Sequence, residues 1–219
     1  MNQTLFKYKV FGRSRGRKKR NMLPQEDLKK YYINLDKDLN ISDYNIIDIG
    51  SGSGENSISL SLSKPYAKII SCEIFEDGNI NLCNDLIKNK ITNIKIFKGN
   101  ILEFFSKILI NPYFDEIWIL YPDPWPKQRH HKRRLINKNF LTMICSYLKK
   151  NARLLIATDS QTYLKSILSI IYDLKNIYKW ENQYPSQWFY EYQNLPTTKF
   201  FKKALKSNRK SIFIQLKKI

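Results

Sequence analysis

The chain has 219 residues, is 42% hydrophobic and 14% aromatic, and carries 38 Lys and Arg against 19 Asp and Glu, a net charge of +19. That length and hydrophobic share predict one globular domain with a full core and exclude a disordered chain. No apolar run reaches the ~18 residues of a membrane span, and the N-terminus has charges where a secretory signal needs an apolar stretch.

The charge excess points to a polyanionic partner, nucleic acid or a membrane surface. Its placement says more than its total. Residues 7–20 hold eight Lys and Arg and no acid, and so do residues 199–219. The basic stretches lack the pattern of amphipathic helices, which disfavours a membrane surface. Cys72, Cys83 and Cys145 show neither metal-like nor redox spacing and read as small apolar residues of a reducing cytoplasm.

In chain order, Phe11 to Arg20 mix glycine with like charges and predict a flexible arm, either a phosphate clamp or a solubilising tail. Residues 24–40 lead into the domain. A first strand, Tyr44 to Ile49, runs into Gly50-Ser51-Gly52-Ser53-Gly54-Glu55 and then a helix through Leu62. Strand, glycine turn and helix N-terminus make a nucleotide-cofactor site, because glycines let a ligand approach free backbone N–H groups. The third glycine comes one residue too early for the dinucleotide fingerprint. Asp48, two residues before the first glycine, suits S-adenosylmethionine better. A second strand, Ala67 to Glu73, ends in an acid 19 residues after Gly54, placed to accept both hydroxyls of an adenosine ribose. A helix over 77–90 presents Ile80, Cys83 and Ile87 to a core. The third strand, Ile94 to Phe97, leads to Gly99-Asn100, where Asn100 either bonds an adenine edge or serves a plain turn.

The fourth strand, Ile117 to Leu120, enters Tyr121-Pro122-Asp123-Pro124-Trp125-Pro126-Lys127-Gln128-Arg129-His130-His131-Lys132-Arg133-Arg134. Prolines on both sides of Asp123 forbid ladder and helix, so the chain must turn there. A carboxylate and an indole are thereby fixed at the carboxyl end of a strand, where ligands bind in open α/β sheets. Five Lys and Arg and both histidines follow within eight residues. Trp125 either walls a bound base or joins the core, and the core is the reading preferred. The histidines have no cysteine or histidine cluster to join, so no metal is expected. A helix with Phe140, Leu141, Ile144, Cys145 and Leu148 on one face comes next. A fifth strand, Arg153 to Ala157, ends at Thr158-Asp159-Ser160, with Asp159 either a substrate contact or a helix cap. Leu164, Ile167, Leu168 and Ile171 mark another helix face, aromatics crowd residues 180–192, and Ser211 to Leu216 form a last strand. Five strand–helix alternations predict a doubly wound, mostly parallel Rossmann-like sheet, closed by an edge pair into seven strands. The division expected is a basic arm and lead-in over 1–40 and the domain over 41–219.

With these motifs in place, the sequence resembles the bacterial tRNA (guanine-N7)-methyltransferase family. The resemblance rests on Pro122 to Arg134, on Asp48 to Gly54, on Glu73, on Ala157-Thr158-Asp159 and on Thr198-Lys199-Phe200. It implies a class I methyltransferase that uses S-adenosylmethionine, releases S-adenosylhomocysteine and forms 7-methylguanosine in tRNA, in the variable loop. It implies that Asp48, Gly50, Gly52, Gly54, Glu73, Asn100 and Asp123 line the methyl-donor site and that Asp123 is catalytic. Lys127, Arg129, Lys132, Arg133, Arg134, Asp159, Thr198, Lys199, Phe200 and the position of Phe201 become the tRNA contacts. The family commonly has an acid where Asn100 stands and a Glu where Phe201 stands, so the contacts made there differ in this chain. The partner implied is tRNA, with neither membrane nor DNA, in the cytoplasm. Monomer and homodimer are equally open. The competing readings are a catalytically degenerate RNA-binding protein on the same fold and, disfavoured by the glycine spacing, a nicotinamide-dependent dehydrogenase.

Overall fold

The computed structural model describes residues 29–189 and 197–219. The basic arm, Tyr190, Tyr192 and Pro196 lie outside them. Strands β1 (Asn45–Ile49), β2 (Lys68–Glu73), β3 (Ile94–Lys98), β4 (Phe114–Leu120), β5 (Leu148–Thr158), β6 (Tyr178–Trp180) and β7 (Ile212–Lys218) form one sheet in the order β3-β2-β1-β4-β5-β7-β6. β1 to β5 run parallel, while β7 lies antiparallel between β5 and β6. The two closing strands are thus an antiparallel pair as expected, with the later one inside the sheet.

Helix α1 (Leu35–Asp38) precedes β1, and between the strands come α2 (Glu55–Ser63), α3 (Glu76–Lys88), α4 (Ile101–Ser106), α5 (Lys138–Cys145), α6 (Gln161–Asp173) and α7 (Lys199–Lys206). They cover both faces, which is why the central strands read as continuous apolar runs. All five residues of β1 are buried. One core packs α4, α5 and α6 on the sheet through Phe104, Phe140, Ile144, Tyr163 and Ile167. The other packs α2 and α3 through Leu60, Leu82, Cys83 and Leu86.

Element boundaries differ from the sequence reading at β4, which begins at Phe114 rather than Ile117, and at β5. Leu148 is buried, but it opens β5 rather than extending the face of α5, which stops at Cys145. Pairing of Phe114 with Leu148 and a register shift before Glu116 let β5 start early, with Asn151 in the left-handed region at φ 64°. A long-range strand partner outweighed a local helical pattern.

The strand order reverses between β1 and β4. In a doubly wound sheet the crevice at that switch point, beyond the strands' carboxyl ends, is where ligands bind. The glycine loop after β1 and the proline-flanked turn after β4 flank it. The opposite end of β4 is a polar knot. Buried Glu116 accepts from Lys64 Nζ, Arg153 Nη2, Tyr44 Oη at 2.7 Å and Trp118 Nε1 at 2.8 Å. Burial pushes its carboxyl up, but Lys64, Tyr44 and Arg153 outweigh burial and hold it below the ordinary value.

Candidate active site

The glycine loop is shaped by backbone demands. Gly54 sits at φ 81° and opens α2, and a Cβ on it would lie 2.4 Å from Leu82 Cδ1. Gly52 N donates to Glu73 Oε2 and Phe75 N donates to Glu73 Oε1, both at 2.8 Å. The carboxylate at the end of β2 therefore ties the loop to the start of α3 and keeps further lone pairs for a ligand. Burial raises the Glu73 carboxyl against the pull of those amides, and Asp123 adds to the rise. Gly78 was missed in the sequence. A Cβ there would meet the carbonyl oxygen of Gly52 at 2.3 Å, so only glycine lets α3 seat against the loop. Its signal was a glycine in the first turn of a helix.

Asp48 lies beneath the loop, 1% exposed, and accepts from Ser57 Oγ at 2.7 Å. Burial raises its carboxyl to about 6, with Ser57 and Asn56 opposing and Glu73 adding to the rise.

The second wall is the turn after β4. Tyr121 and Trp125 both take positive φ, 54° and 42°, which for bulky residues marks a backbone held by its surroundings. Trp125 is a half-buried wall of the cleft and not part of the core. The Arg133 guanidinium lies 5.0 Å over its ring, and His130 meets its edge at 5.9 Å. Residues Gln128–Arg133 form a 3₁₀ helix that leaves Lys127, Arg129 and Lys132 exposed.

Arg134 corrects the sequence reading. It is 5% exposed, and its guanidinium is engaged within the protein. Its Nε donates to Pro124 O at 2.9 Å and its Nη1 to Ser166 Oγ at 2.7 Å, and the guanidinium lies 4.8 Å over the Tyr163 ring. It bolts the Asp123 turn onto α6.

The third wall is the start of α7. Thr198 caps it by accepting from Phe201 N, and Lys199 N donates to Glu55 Oε2 at 2.7 Å. Phe200 faces the cleft and stacks on Tyr121 at 6.4 Å. Phe201 is 6% exposed and turned into the protein, so the tRNA contact expected at that position is not available. Asp159 is not the cap of α6, a role filled by Ser160; it accepts from Arg209 Nε at 2.8 Å. Asn100 lines the cleft and also caps α4, accepting from Glu103 N at 2.9 Å.

These walls enclose a cleft of about 360 Å³ reaching from Gly52 and Glu73 past Asn100 to Asp123, Trp125 and Arg133. A smaller hollow of about 110 Å³ adjoins it over Asp48, Glu55 and Asn56. Tyr121 and Phe200 border both. The residues fit S-adenosylmethionine. Glu73 offers acceptors for a ribose diol, and Phe75, Ile74 and Ile101 give apolar walls for a purine. Asp48 and the buried Asn56 Oδ1, which has no donor on it among the described residues, suit an ammonium. Among the described residues, no three His, Cys, Asp or Glu are grouped as metal ligands.

A methyltransferase family model, described as "Putative methyltransferase", matches residues 42–214. A tRNA (guanine-N(7)-)-methyltransferase of Buchnera aphidicola is 33% identical over 188 residues, covering 86% of this chain and 77% of the relative. One from Nitrosomonas europaea is 32% identical, covering 74% and 70%. The chain belongs to the tRNA (guanine-N7)-methyltransferase family. Its fold is that of class I methyltransferases: a Streptococcus mutans methyltransferase solved with S-adenosylhomocysteine superposes with a TM-score of 0.54 at 13% identity, over 89% of this chain and 97% of that one. Within this family frame the glycine loop, Glu73 and the Asp123 turn form one cleft. From the basic turn Arg133 lines it, its neighbours Lys127, Arg129 and Lys132 are exposed to solvent, and Arg134 and Phe201 are buried.

Proposed function

We propose that the protein transfers the methyl group of S-adenosylmethionine to N7 of a guanine in the variable loop of tRNA. The observation that carries this reading is the continuity of one cleft from Gly52 and Glu73 to Asp123, Trp125 and Arg133, with a basic 3₁₀ turn at its rim. Bound there, S-adenosylmethionine supplies an electrophilic methyl group on a cationic sulfur. Guanine N7 carries an in-plane lone pair and no proton, so the chain needs no strong base. What it must supply is placement. Asp48, Glu73 and Asn100 hold the donor. Trp125 walls the base, and Asp123 accepts from the guanine N–H edge and offsets the positive charge that grows on the purine. Lys127, Arg129 and Lys132 grip the RNA backbone.

The test combines purified protein, methyl-labelled S-adenosylmethionine and unmodified tRNA transcripts with chemical cleavage at 7-methylguanine. Label at a single variable-loop guanine is the expected result. Label elsewhere would overturn the position, and no label with the donor shown to bind would favour an RNA-binding protein without transfer activity.

A further inference from the structure

We infer that the lysine face of α7 is a second contact for the tRNA backbone, running outward from the cleft. The inference rests on the tRNA reading above. Phe201 and Ala204 turn into the protein, while Lys199, Lys202, Lys203 and Lys206 are exposed along some 10 Å of helix. Among the described residues none of the four forms an ion pair.

A helix face stabilised by its own charges sets acids against bases at i,i+3 and i,i+4. Here the spacings 199–202, 199–203, 202–206 and 203–206 bring only like charges together, and no acid occurs from residue 199 to residue 219. Such an arrangement is self-repelling, and a polyanion laid along it removes the repulsion. The face is also held in place. Lys199 N is fixed on Glu55, Phe200 lines the cleft, and beyond the helix Arg209 is paired with Asp159. Asp159 is thus engaged by Arg209 and Glu55 by the Lys199 amide, and among the described residues neither forms an ion pair with the α7 lysines. An RNA whose guanine enters the cleft therefore meets two cationic surfaces, the 3₁₀ turn and α7.

The test is filter binding of an unmodified tRNA transcript across a salt series, with S-adenosylhomocysteine present, alongside methylation kinetics. The variant Lys202→Ala/Lys203→Ala/Lys206→Ala removes three exposed charges. If each charge meets a phosphate, the log–log salt slope becomes shallower by about 2–3, and affinity at about 0.1 M salt falls roughly a hundredfold or more. The kinetic loss falls in KM for tRNA, S-adenosylhomocysteine affinity is retained, and three Lys→Arg replacements restore binding. The variant Lys88→Ala/Lys150→Ala/Lys175→Ala removes the same charge from exposed positions at the other end of the sheet and retains near-normal affinity. Unchanged binding by the α7 variant, or an equal loss in the remote variant, overturns the inference while leaving the tRNA reading intact. Failure of the unmutated protein to bind tRNA overturns both.

Discussion

Asp48 and Arg134 are both buried charges, and the chemistry of each is set by what touches it. Asp48 titrates near 6 in the folded protein against 3.8 ordinarily. As pH rises between those values the unfolded chain gives up the proton first, so folding stability falls across that window and is level above it. The two-unit gap is worth at most about 3 kcal/mol. Denaturant titrations from pH 4 to 7 are expected to show this decline in the unmutated protein and a clearly smaller one in Asp48→Asn, where Glu73, also raised by burial, still contributes. Arg134 is expected to be a positioning residue. In Arg134→Lys the charge remains but the fork that reaches Pro124 O and Ser166 does not. We expect kcat to fall at least about tenfold and stability to drop by about 1–2 kcal/mol. KM for tRNA and the salt slope should be unchanged, whereas a phosphate contact would move both. The sequence could not separate Arg133 from Arg134, because adjacent bases in one run look alike. Their fates diverge where the 3₁₀ helix ends and α6, some thirty residues on, supplies Arg134 with its acceptors. Asp123, by contrast, was legible because two prolines dictate the backbone around it.

Elements meet at the cleft through backbone contacts as much as through side chains. The glycine loop was legible from spacing, since left-handed turns need glycine whatever the tertiary structure. The seat of α3 on that loop was not, because the close approach of Gly78 to Gly52 O joins two segments separated in sequence. Gly78→Ala is expected to push the loop off Glu73 and weaken S-adenosylhomocysteine binding by at least about tenfold, measured by calorimetry; near-normal affinity would show that α3 can shift without disturbing the loop. Phe201 illustrates the same limit. Thr198 caps α7 and sets its phase, and that phase turns the third residue of the helix inward. Position along a motif gave the order of residues but not which face of the helix each would take.

Across the whole molecule the two ends of the sheet do different work. The carboxyl ends of the strands carry the cleft, and the other end carries the Glu116 knot. Glu116→Gln leaves Lys64 and Arg153 without their buried carboxylate and is expected to cost about 3 kcal/mol. Its kcat at low temperature should match the unmutated protein, which separates a stabilising knot from catalysis; thermal melts and initial rates decide it. The strand alternation made the parallel sheet legible, but the place of β7 inside it was set by pairing with β5 over six registered positions. That placement orders events in time. Until residues 212–218 have left the ribosome, β5 offers an unsatisfied edge and β6 has nothing to pair with. The nascent chain must therefore carry an open, sticky flank from the completion of β5 at Thr158 until β7 emerges, and a translation stop before residue 212 would yield an aggregation-prone product rather than a smaller working enzyme.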